Sequence, residues 1–588
     1  MKITHSLLSS RASFHGKNIQ SPLRSLGWAF PPSAAAILTL LLSTASSSFA
    51  GSATWKASPA TEDWNTATNW TAGGPPNGSA DTATFATSTI TGVSISIFTE
   101  VNGIVCNAGA SAFTITASPT FTLTLSGAGI TNNSGIPQNF VTAVNGAGGF
   151  GTIAFTNSAT AGIGSFFTNN GGTANNGGII QFLDTSTASN GTFTNNGGTV
   201  SGGEGAFTEF FDTSTAGNGT FITNGGVSGA FRGFMQFFGS STAGNGTFTN
   251  NGGAVSGAEG GETEFFDSAT AGNGTFTING GAVSGASGGQ LVFMTSNGNS
   301  STAGNATLIA NSGLGGGAGG LIELAGKSSG GTARVELFGN GNLDISFRRS
   351  GVTVGSIEGN GLVFLGAFKL SVGSNNASTT FSGVIQDGGQ NGGTGGSLTK
   401  VGKGKLNLTN ANTYTGGTTI KVGGSLLVKN KTGSATGTGA VQVNAGTLGG
   451  TGKIAGTVTV GTGSDTGAFL SPGNSATSPG TLTINNTLTF NPMSTYNCVL
   501  NRTKGKASTL TALGVTINSG ATFNFVDTTT GTLTVGTVFT VINNTSANPI
   551  SGTFSNLANG STFASNGNNF QASYTGGNGN DLTLTVVP

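Results

Sequence analysis

Apolar and polar residues alternate in short runs along this chain, and one such run recurs at a nearly constant interval. Alternation with a period of two predicts half-buried β-strands. The run begins with Gly-(Thr/Ser)-Phe, and its first five copies are 27 or 28 residues apart. The copies are Gly164–Phe166, Gly191–Phe193, Gly219–Phe221, Gly246–Phe248, Gly274–Phe276 and a degenerate Ala306–Leu308. A constant interval of this length predicts a protein made of stacked repeats.

A second apolar strand lies in each interval, before the Gly-Thr-Phe strand. Its copies are Gln181–Asp184, Glu209–Asp212, Gln236–Gly239 and Glu264–Asp267. When strands of successive coils pair in parallel, equivalent residues are about 4.8 Å apart and form ladders. The fold class predicted is therefore all-β, a parallel β-helix (β-solenoid) with coils of about 27–28 residues in the central array.

Three ladders follow from this register. One is an interior aromatic column made of Phe193, Phe221, Phe248 and Phe276. The second is a turn ladder before the Gly-Gly pairs, where asparagine tolerates left-handed backbone and its amides bond from coil to coil; its members are Asn170, Asn196, Asn224, Asn251 and Asn279. In the third, neutral and acidic residues alternate, which keeps like charges off adjacent coils; it comprises Gln181, Glu209, Gln236 and Glu264.

Composition along the chain suggests five segments. They are a signal peptide at 1–50, a tryptophan-containing capping region at 51–150, the periodic array at 151–325, an irregular solenoid continuation at 326–396, and a C-terminal solenoid at 397–588. The tryptophans of the second segment are Trp55, Trp64 and Trp70. Because an open solenoid end invites edge pairing, we expect them to cover it, with a binding site as the alternative.

The first 50 residues have the pattern of an export signal. Basic residues precede a short apolar run at Ala34–Leu42, and Ser48–Ala50 offers a small-x-small cleavage site. Later stretches lack the roughly 20 consecutive apolar residues of a transmembrane helix. The sequence therefore predicts an exported chain without a helical anchor.

The remaining composition limits which partners and which reactive side chains the chain can have. A net charge of +1 with 40 phenylalanines argues against disorder and against nucleic acid as a partner. His5 and His15 both lie in the signal peptide, so the mature chain would have no histidine-dependent nucleophile or histidine metal site. Cys106 and Cys498 are far apart in apolar settings, and we expect two buried free thiols.

Three aspartates, Asp184, Asp212 and Asp267, recur at one position of the repeat. Each is interpreted as capping its own turn. The alternative is a polysaccharide lyase or hydrolase that uses aspartates from neighbouring coils. Because the repeat explains every copy, no catalytic, cofactor-binding or metal-binding residue is assigned.

Two further motifs have a structural interpretation. Gly576–Asp581 resembles a calcium-binding nonapeptide but occurs once, and Thr583 stands where a large apolar residue belongs. A lysine-rich stretch is expected to point to solvent and discourage edge pairing, with contact to an anionic glycan or lipopolysaccharide as the alternative; its members are Lys400, Lys403, Lys405, Lys421, Lys429 and Lys431.

A specific motif begins at Leu398. Leu398–Leu408 reads Leu-x-Lys-x-Gly-x-Gly-x-Leu-x-Leu, Asn412–Thr418 reads Asn-x-Tyr-x-Gly-Gly-Thr, and Gly424–Leu426 reads Gly-x-Leu. This pattern resembles the autotransporter-associated beta strand repeat, also called the passenger-associated transport repeat. The resemblance implies an exported, right-handed parallel β-helix in which the repeat assists passage or folding of a passenger.

The family resemblance also sets the expected function. Autotransporters end in a membrane barrel, and this chain is expected to lack one, since it ends at Val586–Pro588 without such a segment. We expect a non-enzymatic scaffold, adhesive or matrix-forming, on the outer-membrane surface or outside the cell. Its expected partners are surface glycans, other surface components or further copies of the chain. Ice binding by threonine rows is a third hypothesis.

Overall fold

The computed structural model describes residues 51–464 and 467–588. The predicted signal peptide therefore lies outside the described residues. Within them the only helical element is a 3-10 turn, Ala67–Asn69, and the ordered backbone is otherwise β-strand. None of these residues forms a helix long and apolar enough to cross a membrane.

The first sheet, called sheet one, is a ladder of 14 parallel strands, one per coil. Its strands, in order, are Ala53–Thr54, Gly78–Phe85, Thr99–Cys106, Thr122–Asn132, Thr152–Phe155, Ile179–Phe182, Phe207–Phe210, Phe234–Phe237, Glu262–Phe265, Gln290–Phe293, Leu321–Leu324, Asn342–Asp344, Leu362–Phe364 and Val384–Gln386. A two-residue antiparallel pair, Thr295–Ser296 with Asn299–Ser300, projects beside it.

The second sheet, called sheet two, runs parallel to sheet one along the stack. Its first strands are Gly92–Ile95, Thr114–Ala117, Gln138–Thr142, Ser165–Asn169, Thr192–Asn195, Thr220–Thr223, Thr247–Asn250, Thr275–Ile278, Thr307–Ala310, Gly330–Leu337 and Val352–Gly359. Between the two sheets, single-residue parallel bridges join one threonine per coil from Thr160 to Thr302. Each coil of the array therefore has three sides.

Sheet two divides at Val352–Gly359. The first half of this strand pairs with Lys369–Val372, while Gly359 pairs with Phe381. One row then continues through Lys369–Val372, Ser397–Lys400, Thr418–Ile420, Val441–Val443, Val458–Val460, Leu488–Phe490 and Val515–Ile517. The other continues through Thr379–Phe381, Lys405–Leu408, Ser425–Val428, Gly446–Gly450, Ala468–Ser475, Ser494–Asn501 and Thr522–Asp527, with short antiparallel partners Ser478–Pro479 and Lys506–Ala507.

A third sheet, called sheet three, closes the C-terminal end. Its strands Lys453–Ile454, Thr481–Ile484, Thr509–Ala512 and Val538–Asn544 pair in parallel. The direction then reverses, because Asp581–Val587, Asn568–Gly576 and Thr562–Ser565 are added antiparallel. The all-β, parallel β-helical fold predicted from the periodicity is thus confirmed.

The predicted interior aromatic column is confirmed. Phe193, Phe221, Phe248 and Phe276 are all buried, and their rings stack with centroids 4.8, 4.9 and 4.4 Å apart along the column. A second interior column from sheet one packs edge-on against it, and it comprises Phe155, Phe182, Phe210, Phe237, Phe265 and Phe293. Offset or edge-on rings give more stabilisation than area burial alone.

The first copy of the repeat is displaced by one residue from the register expected. Phe193 pairs with Phe167 and not with Phe166, which is 40% exposed. The sequence offered two adjacent phenylalanines, and a one-residue slip exchanges the faces of a strand. Gly164, at φ 70°, supplies the left-handed residue that permits this entry.

The asparagine ladder is present, although its backbone differs from the expectation. Asn224, Asn251 and Asn279 each donate an amide N–H to the amide oxygen of the preceding coil's asparagine, at 2.8 to 3.0 Å. None of them has a left-handed φ, and neither do the two glycines that follow each of them; in the turn after Asn224 the left-handed residue is Gly229, at φ 76°. The ladder asparagines therefore serve the contacts between coils and not the left-handed turn position.

The three tryptophans lie in the first coils. Trp55, Trp64 and Trp70 are buried, Trp70 packs against the other two, and each also packs against Phe85. Every indole N–H donates to a backbone carbonyl, at 2.6 to 3.1 Å. Their polar atoms are therefore satisfied within the fold, and the covering role stays a prediction.

Both cysteines are buried free thiols, as expected. Burial raises the pKa of the Cys106 thiol to about 12, and that of Cys498 also lies above its ordinary value. Thiols that stay protonated at neutral pH are poor nucleophiles.

Candidate functional site

The repeated aspartates bind backbone of the neighbouring coil. Asp184 accepts a hydrogen bond from the Asn157 N–H at 2.8 Å, and Asp212 accepts one from the Asp184 N–H at 3.1 Å. Asp267 accepts from the Gly239 N–H at 3.2 Å. The sequence interpretation had each aspartate cap its own turn, whereas these bonds run to the preceding coil. They tie successive turns together.

Asp267 shows how fully such a carboxylate is engaged. Besides Gly239, the Ser296 hydroxyl and the Asn297 amide donate to it, at 2.5 and 3.0 Å. Partial burial acts to raise the pKa of Asp267, but these three hydrogen bonds outweigh it and hold the pKa below its ordinary value. A carboxylate stabilised in its charged form is a poor general acid.

The predicted alternation of glutamine and glutamate forms hydrogen bonds. Gln181 donates its amide N–H to Glu209 at 2.9 Å, and Gln236 donates to Glu264 at 2.7 Å. All four side chains are on the outer face of sheet one, in the direct register of its parallel strands. Because neutral and acidic residues alternate, each glutamine donates to the glutamate of the next coil, and like charges do not stand on adjacent coils of this column.

A carboxylate cluster that sequence reasoning missed lies further along the same face. Glu264, Glu323 and Asp344 occupy one column of sheet one, with Val292 between the first two. Glu262 stands two residues from Glu264 and therefore on the same face. The degenerate copies after residue 290 hid this register, although aligning the strands of sheet one in sequence would have revealed it.

Arg232 is the cation that faces this cluster. Its guanidinium donates to Glu259 and Glu262, each at 3.0 Å, and its side chain is only 13% exposed. Desolvation raises the pKa of Glu262 to about 8, the charge on Glu264 adds to that effect, and Arg232 opposes it. For Glu323, burial together with the charges of Asp344 and Glu264 raises the pKa to about 7.

The glutamate at 323 gives a pH-dependent prediction. Its folded pKa is raised above the unfolded value of 4.5, because the fold favours the neutral carboxyl group. The stability that this group contributes is therefore fully present below pH 4.5 and is lost as pH rises through about 7. Glu323→Gln cannot ionise. We expect the free energy of unfolding of the variant to exceed that of the parent chain by on the order of 3 kcal/mol at pH 8 and to match it near pH 4.5.

Unfolding by guanidinium chloride at a series of pH values measures this difference. The control is Glu100→Gln, which replaces an exposed carboxylate on the same sheet. A constant difference between the Glu323→Gln variant and the parent from pH 4.5 to pH 8 would contradict the burial argument.

The lysine-rich stretch differs from the expectation at two residues, because Lys429 is half-buried and Lys400 is buried. Lys403, Lys405, Lys421 and Lys431 are exposed as predicted, but Lys400 is only 1% exposed. It lies between Val372 and Ile420 in an inward-facing column, so strand periodicity turns it to the core. Its ammonium reaches the turn that follows and donates to the carbonyls of Val401 and Gly402.

Glycines of the adjacent coils surround the ammonium of Lys400. A Cβ on Gly373 or Gly424 would lie within 2.9 Å of the Lys400 Nζ, so glycines of the adjacent coils make room for the ammonium. Burial lowers the pKa of Lys400 to about 8. The motif lysine therefore acts as an internal clamp on its own turn and is not part of the outer surface.

Titration above neutral pH tests this burial. The folded pKa of Lys400 lies below its unfolded value of 10.5, so burying the charge destabilises the fold below about pH 8, and this cost is relieved as pH rises towards 10.5. We expect Lys400→Met to remove that rise in stability relative to the parent chain. The exposed Lys403→Met is the control, and thermal unfolding between pH 7 and pH 10.5 is the measurement. Parallel pH profiles for parent and Lys400→Met would contradict a buried ammonium.

The remaining polar sites are also engaged internally. A shallow hollow of about 430 Å³ is lined by Thr503, Asn566 and residues 527–530. Asp527 at its base binds Arg502 through the guanidinium. In the calcium-like motif, the Asp581 carboxylate accepts a hydrogen bond from the Asn544 N–H at 2.9 Å.

Comparison with known protein families identifies one repeat. Residues 398–428 match the passenger-associated transport repeat, which is the stretch that contains the buried Lys400 and the Gly-Gly turn. No curated protein matches the chain. This part of the parallel β-helix is therefore similar to the passenger domains of autotransporters, which are exported.

Proposed function

We propose, from the transport repeat at residues 398–428 within a parallel β-helix, that this protein is an exported scaffold of the outer-membrane surface or the extracellular space. Its role would be adhesive or matrix-forming and not enzymatic. The observation that carries the proposal is the arrangement of the repeated polar side chains. They form ladders between coils and leave polar columns of constant spacing on the outside.

The outer asparagine column illustrates such a surface. Asn245 donates to Asn218, Asn273 to Asn245 and Asn305 to Asn273, at 3.1 to 3.3 Å, and these contacts are exposed to solvent. A row of amides at the strand spacing offers the same weak contact many times. Multiple weak contacts in fixed geometry bind extended partners such as surface glycans through avidity.

Protease treatment of intact cells, combined with cell fractionation, tests the location. We expect the chain to be cleaved on intact cells or recovered from the medium, while a periplasmic marker stays protected. A soluble periplasmic pool that is protected from the protease would count against the proposal. Binding of the purified chain to immobilised surface glycans then tests adhesion.

One observation favours the second candidate function, a polysaccharide lyase or hydrolase. Glu323 has a pKa raised to about 7, close to that of a general acid or base at neutral pH. The aspartates considered from the sequence are less suited, because their carboxylates bind backbone N–H groups. Release of reducing or unsaturated ends from acidic polysaccharides, abolished by Glu323→Gln but retained by Glu100→Gln, would replace the scaffold proposal.

A further inference from the structure

The near-zero net charge of the chain conceals a strong separation of charge along it. Between residues 57 and 231 there are eight carboxylates and no lysine or arginine. Between residues 388 and 464 there are seven lysines and no aspartate or glutamate. We call the first range the acidic segment and the second the lysine segment.

The fold keeps these two segments apart. Coils stack in the order of the sequence, since each strand of sheet one and sheet two pairs with strands of adjacent coils. The acidic segment ends near the strand Phe207–Phe210, and the lysine segment begins near Ser397–Lys400, with several coils between them. The charges of one segment therefore cannot neutralise those of the other within one chain.

The intramolecular ion pairs are found elsewhere. They join Arg232 to Glu259 and Glu262, Arg334 to Glu336 and Glu358, and Arg502 to Asp527. Within the part of the chain that the structure describes, no ion pair connects the two segments or neutralises a lysine of the lysine segment.

The exposed charges of the lysine segment concentrate at one corner of the coils. Lys403 and Lys421 lie in the turns that follow the paired strands Ser397–Lys400 and Thr418–Ile420, and Lys405 begins the next strand. All three are exposed. We call this group, with Val422, the lysine corner.

Val422 is an unusual residue at the tip of this corner. Its side chain is 63% exposed, and its backbone is left-handed, at φ 55°. For a β-branched residue this conformation is strained, and strain retained at a surface points to a role in recognition. An exposed valine among lysines offers an apolar contact at the centre of a charged patch.

The acidic segment carries matching features. Glu62 and Glu100 are exposed near its start, and Asp184 and Asp212 are exposed on two adjacent coils further along. Apolar side chains also reach the surface in this segment, among them Val200 and Val227, which are 40% and 42% exposed. Both segments thus combine one sign of charge with exposed valines, and their charges are complementary.

We propose that the lysine corner of one copy binds the acidic segment of a second copy. The inference rests on the proposed scaffold function and specifies its partner, a further copy of the same chain. Because the two surfaces differ, the contact is heterologous, and every added copy leaves one free surface of each kind. Such an interface builds open chains, which is the property that a matrix requires.

The test is self-association of the full secreted chain in solution. Sedimentation velocity over a range of protein concentrations should show growing assemblies at about 20 mM NaCl and their loss at about 500 mM, because exposed charges are screened within a few ångströms at high salt. The triple variant Lys403→Glu/Lys405→Glu/Lys421→Glu should weaken association at least about tenfold, since like charges then face each other.

Two further variants make the result specific. Lys504→Glu/Lys506→Glu changes exposed lysines outside the lysine segment and should associate like the parent chain. Mixing the triple variant with Glu62→Lys/Glu100→Lys should restore association, because the charges are then exchanged between partners. Circular dichroism and thermal unfolding establish that each variant is folded.

Several outcomes would overturn the inference. One is a parent chain that stays monomeric at low salt, and another is a triple variant that associates as the parent does. Association that appears only after an anionic polysaccharide is added would assign the lysine corner to that polymer instead. Each of these outcomes leaves the surface location intact, which protease treatment of cells tests independently.

Discussion

Replacing Phe221 with alanine is expected to lower the free energy of unfolding by about 3–5 kcal/mol. The ring is fully buried and stacks on Phe193 at 4.8 Å and on Phe248 at 4.9 Å. Phe210 meets it edge-on at 5.9 Å. Removing the ring leaves a cavity in two columns at once, and a stacked coil cannot collapse into it without shifting the register of its neighbours.

The matched control is Phe211→Ala, on the outer side of the same coil. Phe211 is half-buried and stacks only on Phe238, at 5.0 Å, so its loss should cost about 1 kcal/mol or less. Because solenoids unfold in parts, hydrogen exchange of individual amides should accompany denaturant unfolding. Equal losses for the two variants would contradict the assignment of inner and outer columns.

A second large effect is expected at Arg502, where Arg502→Met should destabilise the C-terminal end by about 3–5 kcal/mol. Both Arg502 and Asp527 have side chains that are 3% exposed, and the guanidinium donates to both carboxylate oxygens. It also donates to the carbonyls of Gly531, Ser565 and Asn566. The substitution would leave a buried carboxylate without its counter-charge, with only the Ser565 hydroxyl still donating to it, and would remove one donor from each of the three carbonyls.

Arg334→Met is the control for this pair. The Arg334 side chain is 51% exposed and pairs with Glu336 and Glu358 at the surface, so its removal should cost at most about 1 kcal/mol. In Arg502→Met, amide exchange should rise first in the strands Thr562–Ser565 and Asn568–Gly576. Unchanged protection there would show that the buried pair does not hold these strands.

Much of the array could be derived from its period. The Phe221 column and the Gln181–Glu209 pair follow once parallel stacking is assumed, because equivalent positions must then meet. The displaced first copy could not be derived, since Phe166 and Phe167 are equally suited to the interior and only the pairing distinguishes them.

The burial and the pKa values of the charged side chains could not be predicted from the sequence as well as the array. Lys400 was expected outside because lysine usually is, yet its inward position follows from strand register and from glycines on adjacent coils that give it space. The raised pKa of Glu262 and Glu323 depends on burial and on charges from other coils. Such effects require knowledge of which distant residues share a face.

The reversal of strand direction in sheet three has a further consequence. Identical parallel rungs with stacked aromatic rings and asparagine ladders have the geometry by which amyloid fibrils recruit new chains. At the C-terminal end, Val538–Asn544 is followed by the antiparallel Asp581–Val587, so the template is not repeated there. Sheet three therefore presents an antiparallel edge, Thr562–Ser565, that a further parallel coil cannot extend in the same register.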